Sequence, residues 1–302
     1  MRAKKLTAQL SLSVVVVTHN EGDWLRKTVE TFLSTLPAHG CEVIVVDDQS
    51  SDGSTAFLSL PEFARAQLIV TPQRLGISGA RNLGGRAARA EVIVFSDAHV
   101  IAHAGWAEPL YNAAKLDFVG EVAPTVHSMH EPGICGWGFT WNAPSLKMHW
   151  LKRRGKGAYP VPFLCGCFVA MRREIFERTG GFDEGLIRWG SEDAEFSFRV
   201  WRMGYECHVV STSAVSHLFR KKFPYEVKWE GVVHNTLRLA TIHFGSRALA
   251  RVVDHYRKFA AFPAAAATLA DSNVWQRREL IQRESRLADS WLIDRFEIDV
   301  LR

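Results

Sequence analysis

The chain has 302 residues, 47% of them hydrophobic and 23% charged, which is enough apolar material for one large α/β domain or two small ones. A net charge of +5 without a long basic run suits an anionic ligand such as a nucleotide and argues against nucleic acid as a partner. Five cysteines at no framework spacing argue against a disulfide-stapled domain, and no stretch approaches the ~20 apolar residues of a transmembrane segment.

The opening "MRAKKLTAQLSLSVVVV" begins like a signal peptide, but no small-residue cleavage site follows and the apolar run leads straight into "THNEGDW". Leu12–Val17 is therefore expected to be a first buried strand. The expected compartment is the cytoplasm, with a place at the inner face of a membrane as the alternative. "DWLRKTVETFLSTL" follows with a helical stripe of Trp24, Val29, Phe32, Leu33 and Leu36. Then come "CEVIVVDDQS", "AQLIVT", the helix candidate "GARNLGGRAARA" and "EVIVFSDAHV". Apolar strands alternating with helices predict an α/β fold, a mostly parallel central sheet with helices on both faces, and ligands at the carboxyl ends of its strands. Thr18, Asn20, Glu21, Asp47, Asp48, Asp97 and His99 fall at those ends.

From about 121 to 225 aromatics, Pro and Gly are dense, with no linker, so this stretch reads as an acceptor-facing half on the same sheet. Beyond about 230 the pattern turns helical. Trp275, Ile281, Leu287, Trp291 and Phe296 there suit packing on the body or on a second copy of the chain. The division predicted is 1–245, with a nucleotide-binding half over about 11–120 and an acceptor-facing half over about 121–245, followed by a helical C-terminal extension over 246–302.

Five segments can carry chemistry. In an extended chain Asp97 and His99 point the same way and can share a cation, though Asp–His pairs also arise by chance. "VVDDQSSDGS" is either an Asx-type turn or an acceptor for a nucleobase imino group and sugar hydroxyls. In "GISGARNLGGRAA" Arg81 can grip a diphosphate bidentately, yet the segment lacks a P-loop lysine and by itself is an ordinary helix start. Glu192 and Asp193 open a buried helix, where they either complement its dipole or supply a general base from Asp193. His217 in "VSHLFRKKFPY" is either a core histidine beside a surface basic cluster or a third metal ligand. Cys165-Gly166-Cys167 is too close-set for a zinc pair and reads as buried thiols.

Taken in order, these segments resemble GT-A nucleotide-sugar glycosyltransferases of the family-2 type, most nearly the catalytic domain of polypeptide N-acetylgalactosaminyltransferases, over about residues 11–245. "VIVVDDQSSD" resembles that family's V-D-D-x-S, "VFSDAH" its F-L-D-S-H, "GFTW" its F-x-W, and "RWGSEDAEFSFRVW" its W-G-G-E-N-x-E-I-S-F-R-V-W. "SHLFRKKFPY" resembles G-H-V-F-R-K…P-Y, and "NTLRLATIHF" resembles N-x-x-R-x-A-E-V-W. The resemblance implies a GT-A fold in which Asp97, His99 and His217 hold a divalent cation. The mixed N/O set favours Mn²⁺, with Mg²⁺ as the alternative.

It also implies a UDP-sugar donor. Asp48 would take uracil and ribose with the backbone near Thr18. Arg81, Arg220 and Tyr225 would contact UDP or its lid. Asn20, Glu21 and Ala98 would lie along the nucleotide, Trp189 and Glu192 on the sugar side, and Trp141 near the acceptor. Two departures stand out. Asp193 replaces the family's Asn, at the place where inverting family-2 enzymes and galactosyltransferases with a W-G-x-E-D segment put their aspartate base. Gly166-Cys167 replaces Gly-Gly, placing a thiol near the expected sugar pocket.

The function expected is metal-dependent transfer of a sugar from a UDP-sugar to an acceptor hydroxyl or thiol, with inversion and Asp193 as base. A retaining UDP-GalNAc or UDP-GlcNAc transferase to peptide is the alternative. Candidate acceptors are a peptide, a saccharide, a lipid-linked glycan or a small natural product. Two competing classes are a nucleotidyltransferase, which lacks its Gly-rich basic stretch after the first strand, and a degenerate transferase fold serving as a binding subunit.

Overall fold

The structure, a computed structural model, describes residues 11–131, 133–141, 143–220 and 226–298. The first third builds β1 (Leu12–Thr18), α1 (Asp23–Thr35), β2 (Cys41–Asp47), β3 (Ala66–Val70), α2 (Gly76–Ala87) and β4 (Val92–Asp97). These strands pair in parallel in the order β3-β2-β1-β4. Val14–Val17 and Val43–Val46 are buried on both sheet faces, which is why they read as unbroken apolar runs rather than an alternation. Thr18 lies opposite Asp47, and Val17 opposite Asp97, so the polar ends of β1, β2 and β4 share one edge.

The second third adds β5 (Val100–Ala102), α3 (Ala107–Ala114), β6 (Val119–Ser128), β7 (Cys135–Gly136), β8 (Phe139–Trp141), β9 (Met148–Trp150), β10 (Ala158–Pro160) and β11 (Phe168–Arg172). The chain continues through α4 (Arg173–Thr179), α5 (Glu192–Arg202) and β12 (Glu206–His217). Here the sheet becomes mixed: β11 inserts antiparallel between β4 and β6, while β12 runs parallel to β6. β5 pairs antiparallel with the end of β12, placing His217 opposite Val100 and beside His99. β8 and β9 form a separate hairpin. His217 was expected behind a short strand; it ends one of 12 residues, with a register shift between Val210 and Ala214.

Apolar clusters fill both sheet faces. Leu25, Val29 and Phe32 of α1 pack on one side with Trp106 and Phe168. Phe196 and Phe198 of α5 pack on the other with Phe95, Phe176 and Phe182. α6 (Trp229–His243), α7 (Ser246–Tyr256), α8 (Phe262–Ala270), α9 (Val274–Glu284) and α10 (Asp289–Arg295) complete the described chain. The last helices dock closely: Arg286 N and Leu287 N donate to Arg202 O at 2.7 and 3.0 Å, and Trp201 meets Phe296 at 5.2 Å between centroids. Among the described residues, no helix is long and apolar enough to cross a membrane.

Candidate active site

Asp97 closes β4, His99 follows two residues on, and His217 closes β12. One ligand atom from each lies within 4.8 Å of the other two. His217 Nε2 is 3.3 Å and His99 Nε2 4.0 Å from Asp97 Oδ2. Burial opposes the charge on Asp97, but the hydrogen bond with His217 and the charges of His99 and Arg81 hold its carboxyl well below the usual range. Burial pushes the His217 imidazole down toward the neutral form that binds metals. Glu21 Oε2 accepts from His99 Nδ1 at 3.1 Å and from Arg220, leaving His99 Nε2 for the cluster. That pairing of a carboxylate with the far nitrogen is how ligating imidazoles are oriented. One carboxylate oxygen and two imidazole nitrogens can hold a divalent first-row cation, and the carboxylate makes Mn²⁺ one that the set accommodates.

A second group of carboxylates stands on the far side of Arg81. Its Nη2 donates to Gly166 O at 2.6 Å and approaches Asp97 Oδ1 at 3.3 Å, while Nη1 is 3.8 Å from Glu192 Oε1. Gly166 N donates to Asp193 Oδ2 at 3.3 Å. A Cβ on Gly166, in the turn before β11, would sit 3.0 Å from both Arg81 Nη1 and Asp193 Cβ, so a side chain there would press on both. Burial pushes the Asp193 carboxyl up. Burial and then the charge of Asp193 push Glu192 up to about 7. Asp193 keeps partial exposure while Glu192 is buried, its Oε2 accepting from Gly190 N at 2.8 Å.

The nucleotide-side loops are laced together. Asp48, 2% exposed, accepts from Leu75 N at 2.7 Å, Gly76 N at 2.9 Å, Thr71 Oγ1 at 3.1 Å and Arg74 Nε at 3.2 Å. The loop it holds abuts residues 187–191. Ile77 N donates to Arg188 O at 2.9 Å, Arg188 Nη1 donates to Arg74 O at 2.8 Å, and a Cβ on Gly76 would meet the Arg188 backbone at 2.9 Å. Arg188 and Ser191 flank Trp189-Gly190 at φ 56° and 69°, a left-handed conformation costly for side-chain-bearing residues. Buried Asn235 of α6 holds this loop: its Oδ1 accepts from Ile187 N at 2.7 Å, and its Nδ2 donates to the carbonyls of Ile187, Trp189 and Gly190 at 2.9–3.1 Å.

Several of the expected site residues already have partners within the fold. Asp48, expected at uracil and ribose, has four donors on its carboxylate and holds the loop over residues 71–76. Arg81, expected to contact UDP, is 1% exposed over the Phe182 ring with Asp97 and Glu192 as its carboxylate neighbours. Ala98 alternates away from Asp97 and His99 into the apolar core at 1% exposure, leaving only its backbone near the edge. Cys167 is likewise turned into that core at 4% exposure rather than toward a sugar pocket.

Trp141, expected near the acceptor, is 2% exposed, its ring tilted against Phe163 at 4.1 Å between centroids. Glu21 stands behind His99, and Asn20 ties the β1 exit to the next loop by accepting from Ser51 N at 2.8 Å. Thr18 is buried, with no hydrogen-bond partner for its Oγ1. Trp189, expected on the sugar side, is 39% exposed in the loop before α5. Tyr225 lies outside the described residues. Sequence reasoning missed Arg74, Gly76 and Asn235 as loop builders. The signal for Asn235 was its place at the head of "NTLRLATIHF", three residues before Arg238 on a helical pattern.

Residues 13–180, more than half of the chain, match the profile of "Glycosyl transferase family 2". The chain belongs to this family. Residues 148–222, which include Gly190–Asp193, also match "N-terminal domain of galactosyltransferase". Among curated relatives, human polypeptide N-acetylgalactosaminyltransferase 3 is 32% identical over 259 residues, covering 76% of this chain and 40% of that protein. The putative polypeptide N-acetylgalactosaminyltransferase 9 of Drosophila melanogaster is 32% identical over 269 residues, covering 80% and 40%. The chain thus spans about two fifths of the length of the curated relatives it matches.

A solved structure of GalNAc-T7 with UDP, GalNAc and Mn²⁺ superposes at a TM-score of 0.80 and 21% identity, over 97% of this chain and 57% of that one. A mannosyltransferase from Pyrobaculum calidifontis with GDP-Man and Mn²⁺ gives 0.53 and 20%, over 94% and 79%. These likenesses establish the GT-A fold of this family 2 chain.

Proposed function

We propose that the chain is a metal-dependent glycosyltransferase that moves a sugar from a UDP-sugar to an acceptor hydroxyl. The observation that carries this is the convergence of Asp97, His99 and His217 at the carboxyl edge of the sheet, with Asp193 across Arg81 and Gly166. The relatives, a GalNAc-T7 bound to UDP and Mn²⁺ and transferases named for polypeptides, support the donor, the cation and a peptide acceptor. The three ligands would hold Mn²⁺, which supplies positive charge to offset the leaving diphosphate. We assign the transferase domain to 1–245 and the helical extension to 246–302.

Asp193 is the candidate base. In the inverting reading it takes the acceptor proton as the bond from acceptor oxygen to anomeric carbon forms and the bond from that carbon to the UDP oxygen breaks. Its partial exposure, its raised pKa and its backbone hydrogen bonds from Ala194 at 2.7 Å and Gly166 suit that work. Glu192, Trp189 and the Asn235-held loop would shape the sugar side. The retaining reading draws on the named N-acetylgalactosaminyltransferases, and the anomeric configuration of the product, read by NMR, separates the two.

The test is a donor panel with Mn²⁺ and peptide acceptors, alongside thermal shift with UDP plus Mn²⁺. Transfer from a UDP-sugar supports the proposal. A metal-dependent shift with no turnover on any acceptor points to a binding subunit, and no shift at all refutes the nucleotide site. Asp193→Asn is expected to lower kcat by roughly 100-fold or more while leaving the UDP shift intact.

A further inference from the structure

Residues 132–171 contain Lys147, Lys152, Arg153, Arg154 and Lys156 and not one Asp or Glu. The remaining residues balance, 32 basic against 32 acidic, so the whole formal charge of +5 resides in this one stretch. All five cations are exposed, as is His149. None forms an ion pair with a described carboxylate, in contrast to Arg26, Arg86, Arg89 and Arg173 elsewhere on the surface. Glu297, across a cleft from Arg154, is not within ion-pair distance of it.

The stretch also has a fixed place. Its five cations lie on the β8–β9 hairpin and the loop after it, and β9 touches the candidate metal site through two ring contacts. The Trp150 ring is 5.8 Å from Phe219, and the Phe219 ring is 4.5 Å from His217. Unpaired surface cations cost little to keep solvated but attract an opposite charge from about a Debye length away. Concentrated beside a transfer site on an otherwise balanced molecule, they act on whatever chain must reach that site.

We infer that this basic hairpin is the docking surface for an acidic peptide acceptor, one whose hydroxyl-bearing residue is flanked by Asp or Glu. The inference rests on the proposed transferase reading and narrows its acceptor. A peptide fits better than a phosphodiester polymer because the cations flank Met148, His149 and Trp150, Lys147 before them and the other four after, rather than standing alone as a phosphate pocket. That row offers apolar and polar contacts to side chains as well as charge to carboxylates.

The experiment uses the full chain with three synthetic peptides that share one Thr and differ only in flanks of Glu, Gln or Lys. The Glu peptide is expected to exceed the Gln peptide in kcat/KM by roughly ten-fold at low ionic strength, the advantage shrinking as salt is raised. Binding of a fluorescein-labelled Glu-flanked peptide, read by anisotropy, is expected to weaken to a similar extent in the triple variant Lys152→Glu, Arg153→Glu, Arg154→Glu. The thermal shift with UDP and Mn²⁺ reports whether that variant is folded, and Lys152→Gln with Arg154→Gln serves as the milder version. Equal binding of the three peptides, binding unchanged in both variants, or preferential binding of a phosphodiester polymer overturns the inference. Acidic-peptide binding that persists in a chain showing no UDP shift would instead sink the transferase reading and leave the surface standing.

Discussion

Glu192 and Asp193 are neighbours at the start of α5 yet meet different surroundings. Glu192 is buried against Arg81 and the Gly190 amide, whereas Asp193 keeps an open side. Burial and the charge of Asp193 raise Glu192 to about 7, and burial raises Asp193 as well. Glu121, buried with Ser197 Oγ donating at 2.7 Å, is raised to about 8 by burial. A carboxyl raised in the fold binds its proton more tightly than in the unfolded chain, so its contribution to stability is full at low pH and declines as pH rises from about 4.5 to about 8. Glu121→Gln is therefore expected to flatten the fall of Tm between pH 6 and 9 relative to wild type, a difference on the order of a few kcal/mol. Glu21→Gln is expected to weaken Mn²⁺ affinity by roughly 10- to 100-fold, read by metal titration of the UDP thermal shift. The Asp97–His99 pair was legible because period two puts i and i+2 on one side of an extended chain. Asp48 was not, because what consumes its carboxylate is a loop more than 20 residues further on.

At the scale of elements, α6 is a template. Asn235 fixes the sugar-side loop with four hydrogen bonds, and one turn later Arg238 grips Asp183 through two, at 2.7 and 2.9 Å. Asn235→Ala leaves the Ile187 amide and three carbonyls without their partner. It is expected to cost about 2 kcal/mol in stability and to lower kcat/KM by roughly 100-fold through a misplaced Glu192-Asp193, while Mn²⁺ affinity is kept. Arg238→Ala strands a buried Asp183 and is expected to destabilise by about 3 to 5 kcal/mol in chemical denaturation. The alternation of strands and helices up to β4 followed from apolar runs and turn residues alone. The antiparallel insertion of β11 and the length of β12 did not, since strand order depends on pairings between segments that hydrophobic pattern leaves equivalent.

Across the whole molecule, the C-terminal helices are part of the packed body. Ile242 of α6 shares an apolar cluster with Val274 and Ile281 of α9, and the Arg202 carbonyl anchors Arg286 and Leu287. A chain ending at residue 245 is expected to expose that face and to lose cooperative unfolding, checked by differential scanning calorimetry. Helicity there was legible in the sequence, but the face it covers was not, because the contacts span α5 and α6. The laced loops carry a lesson about exchange. Residues 71–77 and 187–191 come from distant parts of the chain, yet each supplies backbone groups that the other needs. Grafting a foreign sugar-side loop onto this scaffold would bring Arg188 or its replacement against a Gly76 it was not shaped for. The two segments are thus a single structural unit, and a chimaera that exchanges either one alone is expected to lose stability that exchanging both together keeps.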